Sequence, residues 1–237
     1  MRTLIFTVFI SFLSMASSSL MAASGGMHLD SVEIDITDQA SLQRGAKTFV
    51  NYCLSCHEAS YMRYNRMAQD IGLSDDQVLK NLMFATDNVG ETMTIAMRAE
   101  DAKKWFGVIP PDLSVISRAK GTDWLYTYLR TFYLDQNKQM GTNNLAFKDV
   151  GMPHVLWQQQ GYLAQDEETH DLSSATDGAI SHHEYDVMVK DLTNFLAYIG
   201  EPSKLQRLAL GKWVLLYLVL LFLVAYPMKK AFWRDIH

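Results

Sequence analysis

Cysteine is nearly absent from this 237-residue chain, which has two, Cys53 and Cys56. Two are too few for a disulfide framework, and without a second pair they cannot complete a zinc site of ordinary ligand spacing. Basic charge is not in excess either. Twenty-one Lys and Arg against 26 Asp and Glu leave a net charge of −5, which argues against nucleic acid as a partner and suits a basic protein better. Proline is scarce too, at five residues, with Pro110 and Pro111 adjacent. The length allows one sizeable domain or two small ones, and 49% hydrophobic with 20% charged residues fits a globular body carrying some membrane segment.

Both cysteines fall in Cys53-Leu54-Ser55-Cys56-His57. Cys-x-x-Cys-His is the c-type haem attachment pattern. Two thiols add across the two vinyl groups of one haem, and the next residue brings its imidazole to the iron as proximal ligand. A thioredoxin-like redox pair would need a βαβ context, whereas the flanks here read helical. A structural disulfide would not need the histidine. One covalent haem c is therefore the expected cofactor.

The chain's two ends read as targeting and anchoring segments. Arg2, the apolar run Leu4 to Leu13 and a Ser/Ala-rich stretch to Ala23 form a signal peptide over 1–23. Its apolar core is too short to span a bilayer comfortably. At the other end, Trp213 to Met228 contains no charge, and Lys212 can snorkel to the interface. With Leu208 to Gly211 this gives about twenty residues, enough for a membrane core, flanked by the interfacial aromatics Trp213, Tyr217 and Tyr226. Basic residues tie across the span, Lys204, Arg207 and Lys212 against Lys229, Lys230 and Arg234. Orientation therefore follows from the signal peptide. The expected organisation is a periplasmic haem domain over 24–203, a transmembrane helix with its approach over 204–228, and a cytoplasmic tail over 229–237. The fold class is mainly α: a class I-like c-type cytochrome domain with long loop insertions plus one C-terminal transmembrane helix.

Between those ends, Val32, Ile34 and Ile36 alternate with acids as in a short strand or packed arm. Thr37 reads as the N-cap of a helix whose apolar face (Ala40, Leu42, Ala46, Phe49, Val50) runs into Cys53. Arg63 or Arg66 could pair with a haem propionate, though a solvated surface is the simpler reading. Ser74–Gln77 and Ser181–Glu184 are capping boxes opening further helices. Residues 91–106 read as helical, as do 122–134 from a Thr122 cap with Leu125, Leu129 and Phe132 on one face. Pro110 and Pro111 make a rigid loop, which is either a simple connector or a device aiming a backbone carbonyl at the Nδ1–H of His57. The acidic stretch 165–177 reads as a solvated loop or as a docking surface for a basic partner. His182 and His183 resemble a metal pair but suit an exposed first turn.

An electron carrier needs a sixth ligand opposite His57; an open position suits oxygen chemistry or sensing. Among 13 methionines, Met83, Met97 and Met188 lie at core-packing spacing. Met140 and Met152 lie in irregular sequence. Gly151 and Pro153 favour Met152 modestly, with His154 and Met140 as rivals.

Together these segments resemble the cytochrome c1 family, the haem-bearing subunits of ubiquinol–cytochrome c oxidoreductase (complex III), in a bacterial form. The resemblance rests on Cys53–His57, Pro110-Pro111-Asp112-Leu113-Ser114, Arg118-Ala119, Gly151-Met152-Pro153 and a C-terminal anchor followed by Lys229-Lys230. It implies thioethers at Cys53 and Cys56, His57 and Met152 as axial ligands, Arg118 as partner of a propionate, and Pro110 and Pro111 packed beside the proximal face. It also implies one-electron transfer from a Rieske iron–sulfur protein to a soluble or membrane-bound c-type cytochrome. The setting would be a dimeric complex with cytochrome b in the bacterial inner membrane, and the chain would have no quinol site of its own. Two other readings remain: a different membrane-anchored monohaem cytochrome (a terminal-oxidase subunit or a reductase shuttle), and a five-coordinate haem sensor.

Overall fold

The computed structural model describes residues 27–234, so the expected signal peptide lies outside the described residues. Over the described residues the chain folds as a mainly α body with three small two-stranded antiparallel sheets and one long C-terminal helix. The first helix, α1 (Gln39–Tyr52), buries Leu42, Ala46, Phe49 and Val50, a spacing that lines one stripe of a 3.6-residue helix. Its cap is Asp38, whose carboxylate accepts from the Ser41 N–H at 3.0 Å. Thr37 instead bonds Asp35, one position short of the cap expected for it.

A strand β1 (Ala59–Arg63) follows the haem motif, then short helices α2 (Tyr64–Asp70) and α3 (Asp75–Asn81), the latter opened by the Ser74–Gln77 capping box. Residues 91–106 are not one helix. Strand β2 (Thr92–Met93) pairs with β1, and only α4 (Ala99–Phe106) is helical. Two helices meet at Gly121: α5 (Ile116–Lys120) and α6 (Thr122–Arg130). The latter has no side-chain cap and stops before Phe132, which belongs to β3 (Phe132–Leu134), paired with β4 (Thr142–Asn144). In the extended pairing Phe132 still reaches the core, 1% exposed, so an apolar residue expected on a helix face serves a strand.

A single turn α7 (Trp157–Gln160) leads to β5 (Leu163–Gln165) and β6 (Leu172–Ser174). The acidic segment is thus largely the tip of a hairpin, with the Asp166 carboxylate accepting from the Glu168 and Thr169 N–H groups. Helix α8 (His182–Gly200), opened by the second capping box, buries Tyr185, Val189, Leu192, Phe195, Leu196 and Ile199. Among the described residues the N-terminal arm forms no strand. It lies extended, tied by Asp30 N–H to Thr127 Oγ1 and Val32 N–H to Asp123 Oδ1.

The core is built where α1 crosses α8. A Cβ on Gly45 would stand 2.2 Å from the Asp191 carbonyl oxygen, so only glycine permits this approach. Beside the crossing, the rings of Phe49 and Phe195 sit 5.5 Å apart, and Arg44 closes a two-pronged ion pair on the buried Asp191 at 2.5 and 3.0 Å. Arg130 ties α6 to α8 and the arm through Asp186 and Asp30. The last helix, α9 (Lys204–Phe232), buries no side chain. Its most apolar window has a mean hydropathy of 2.4, and at about 1.5 Å per residue it is about 43 Å long, long and apolar enough to cross a membrane.

Candidate haem centre

α1 delivers its last turn straight into the motif. The Cys53 and Leu54 N–H groups both donate to Phe49 O, and the Cys56 and His57 N–H groups both donate to Cys53 O at 3.0 and 2.9 Å. This tight turn buries Cys53 and leaves Cys56 and His57 partly exposed. Both thiols are free. Burial, helped by Cys56, pushes the Cys53 thiol up to about 12, so at neutral pH it stays protonated and resists adventitious oxidation.

Pro111 O lies 2.8 Å from His57 Nδ1. A carbonyl only accepts, so Nδ1 carries the hydrogen and Nε2 keeps its lone pair for a metal. Nε2 has no hydrogen-bond partner among the described residues. Burial holds the imidazole below its usual range, with the Pro111 bond opposing.

Two adjacent prolines give the loop a fixed course but no amide donors, and its neighbours supply the anchoring. Leu113 N–H donates to Glu58 O at 2.7 Å. Asp112 accepts from Ser60, through both its N–H and its hydroxyl, and from Ser114 N–H, stapling the loop to β1. Burial alone would raise the Asp112 carboxyl, but the bonds from Ser114 and Ser60 outweigh it and hold it below the usual range. A depressed carboxyl contributes stability above its unfolded pKa and loses it as pH falls through the folded value. Asp112→Asn is therefore expected to flatten part of the acid fall-off in melting temperature. Identical wild-type and variant pH profiles would remove Asp112 from that account.

The Met152 loop packs against the same proline loop. A Cβ on Gly151 would meet Val108 Cγ2 at 2.8 Å and Phe106 O at 3.1 Å, so the glycine lets the segment before Met152 lie directly on the segment before Pro110. Tyr128 Oη donates to Met152 Sδ at 3.3 Å. Two buried asparagines organise the loop from β4. Asn143 Oδ1 accepts from Asp149 N–H, and Asn144 Oδ1 accepts from Ala146 and Phe147 N–H. Asp149 itself sits at φ +61°, in the left-handed region that a short Asp tolerates.

The rivals for the sixth position sit differently. His154 is buried with its ring stacked 5.1 Å from Phe132 and edge-on to Tyr162, and burial holds its pKa down at about 4. Met140 lies in the turn between β3 and β4. Arg118 is exposed on α5, and its side chain makes no hydrogen bond or ion pair among the described residues. Arg63 and Arg66 are engaged elsewhere, with Gly90 O and Asp70. His182 and His183 are exposed in the first turn of α8, and among the described residues no three His, Cys, Asp or Glu side chains group as metal ligands.

The side chains present fit a c-type haem. Two free thiols stand beside an imidazole whose Nε2 is available, and a thioether lies on the adjoining loop. Val108 and Ile109, on the loop that holds His57, are 51% and 55% exposed, an apolar surface of the kind a porphyrin covers. Tyr128, Asn143 and Asn144 are not singled out by sequence reasoning, and Asp112 enters it only within the Pro110–Ser114 motif, without a role of its own. The Asn pair carries a faint signal as consecutive amides in a segment without periodicity, but their partners are set only by the fold.

Residues 31–236 match the model of the Cytochrome C1 family. Cytochrome c1 of Allochromatium vinosum is 48% identical, over 97% of this chain and 98% of the relative. A protein of Nitrosomonas europaea named as the gamma subunit of ammonia monooxygenase is also 48% identical, over 95% of this chain and 97% of the relative. A cytochrome b/c1 of Bradyrhizobium diazoefficiens is 26% identical over 84% of this chain and 34% of its own length.

Proposed function

This chain belongs to the cytochrome c1 family, and on that premise we propose that it is the membrane-anchored haem c electron carrier of a bc1-type complex. It would take one electron from a Rieske iron–sulfur protein and pass it to a soluble or membrane-bound c-type cytochrome. The observation that carries this reading is the His57 tautomer held by Pro111 O, with both motif thiols free beside it. That arrangement presents a metal-ready imidazole next to two thioether-forming groups.

Cys53 and Cys56 would hold one haem covalently, with His57 and Met152 as its axial ligands. The haem supplies reversible one-electron iron chemistry, and a His/Met pair favours the high potential a carrier downstream of quinol needs. The protein's part is orientation and exclusion. Pro111 O fixes the plane of the His57 ring and Asp112 anchors the proline loop, and the exposed apolar Val108 and Ile109 would help to exclude water from a bound haem. Arg118, whose exposed guanidinium has no hydrogen-bond partner among the described residues, would be available to a propionate. The span α9 would hold the body on the periplasmic face of the inner membrane, with cytochrome b beside it, the whole complex being dimeric.

The name of the Nitrosomonas europaea relative points to a second assembly, and one purification separates the two. Detergent extraction through a tag on this chain is expected to recover cytochrome b and a Rieske protein. This chain should then keep its haem stain on a denaturing gel. Recovery with oxygenase subunits instead, or with a terminal oxidase, would overturn the bc1 assignment. Loss of the stain would overturn covalent attachment.

A further inference from the structure

Tyr128 is unusual among the buried tyrosines because its phenol points at a thioether. Its Oη lies 3.3 Å from Met152 Sδ, and this is the phenol's one hydrogen bond among the described residues. The ring has little freedom to turn away. It stacks on Trp124 with centroids 4.9 Å apart and planes at 11°, and it meets Phe132 edge-on at 5.1 Å. The residue is 9% exposed, and burial holds the phenol above its ordinary range, so it stays a donor.

The same local network fixes donor and acceptor together. Asn144 Nδ2 donates to the Tyr128 carbonyl at 2.7 Å, while its Oδ1 takes the Ala146 and Phe147 N–H groups. One buried asparagine thus sets the backbone of the tyrosine and the start of the loop that ends in Met152.

We propose that Tyr128 is a positioning residue for the Met152 sulfur, raising the potential of the bound haem by holding a hydrogen bond on a sulfur lone pair. The proposal rests on the reading of Met152 as axial ligand. A thioether sulfur is a weak acceptor, and a hydrogen bond on it withdraws density it would otherwise give to iron. Oxidised iron depends on that donation more than reduced iron does, so the bond disfavours the oxidised state. A neutral hydrogen bond of about 1 kcal/mol corresponds to a factor of about five. Were the whole of it lost on oxidation, the oxidised-to-reduced ratio would change by that factor, so about 40 mV, at 59 mV per tenfold for one electron, is the upper bound.

The test is Tyr128→Phe in the intact complex, read by redox titration and by the sulfur-to-iron charge-transfer band of the oxidised haem. Phenylalanine keeps the stack on Trp124 and removes only the hydroxyl. The expected result is a potential lower by up to about 40 mV at 59 mV per tenfold, with the band retained and the sulfur harder to displace by added imidazole. An unchanged or higher potential with the band intact would overturn the proposal, leaving the phenol as packing. Loss of the band in the variant would also overturn it, since the hydroxyl would then be holding the sulfur on the iron instead of tuning it. Absence of the band in the wild-type protein would remove Met152 as ligand, a failure visible before any substitution is made.

Discussion

Met152→Leu is expected to leave the chain folded and its haem attached while lowering the midpoint potential by on the order of 0.2 V, a quarter of the ~0.8 V span that axial ligands cover. Leucine nearly matches methionine in volume, and such swaps cost under about 1.5 kcal/mol. The partly buried Met152 packs at the edge of the core without anchoring it. What disappears is the sulfur, and with it the acceptor of the Tyr128 phenol. The reduced protein should then bind carbon monoxide, which the wild type should resist. An unchanged potential and spectrum would move the sixth position to Met140 or His154. Of these, His154 would first have to leave its stack on Phe132, whereas Met140, in a hairpin turn, would need the turn to fold over the site.

Gly45→Ala is expected to be strongly destabilising, costing about 3 kcal/mol or more. The added Cβ would stand 2.2 Å from Asp191 O and 2.7 Å from Phe195 Cβ. The oxygen is backbone and the carbon is fixed to it, so neither can swing aside, and the helices must separate. Separation loosens the Phe49–Phe195 contact and the Arg44–Asp191 pair at once. Because α1 runs directly into Cys53, the displacement also reaches the haem motif. At about 2–4 °C per kcal/mol for a domain of this size, thermal loss of the haem spectrum should move down by roughly 10 °C. A variant that melts with the wild type would show that the α1–α8 crossing has room the geometry denies.

Local chemistry was legible along the chain. The capping boxes at Ser74 and Ser181 form as their spacing requires, because both hydrogen bonds of a box lie within four residues. The apolar stripe of α1 and the long apolar helix α9 were equally readable, since periodicity and length are properties of a segment alone. Where tertiary pairing competes with propensity, reading by segment fails. Thr92 and Met93 pair with β1 instead of continuing a helix, and Phe132 leaves α6 to pair with Asn144 in β4. The cap at Asp38 went unread because Thr37, a plausible cap by type, is occupied by Asp35.

The candidate centre divides along the same line. Cysteine scarcity, a Cys-x-x-Cys-His run, two adjacent prolines, a Gly-Met-Pro triplet and an apolar tail were determined by sequence alone, because each is a local pattern whose chemistry needs no partner to be recognised. Tertiary structure decided which carbonyl faces His57 Nδ1, which glycine lets the methionine loop lie on the proline loop, and which phenol reaches the Met152 sulfur. Those contacts join residues 24 to 54 positions apart in the chain. A hydrogen bond at such separation exists only once the helices and loops between have paid their ordering entropy and packed, and no window of the sequence contains both ends of it.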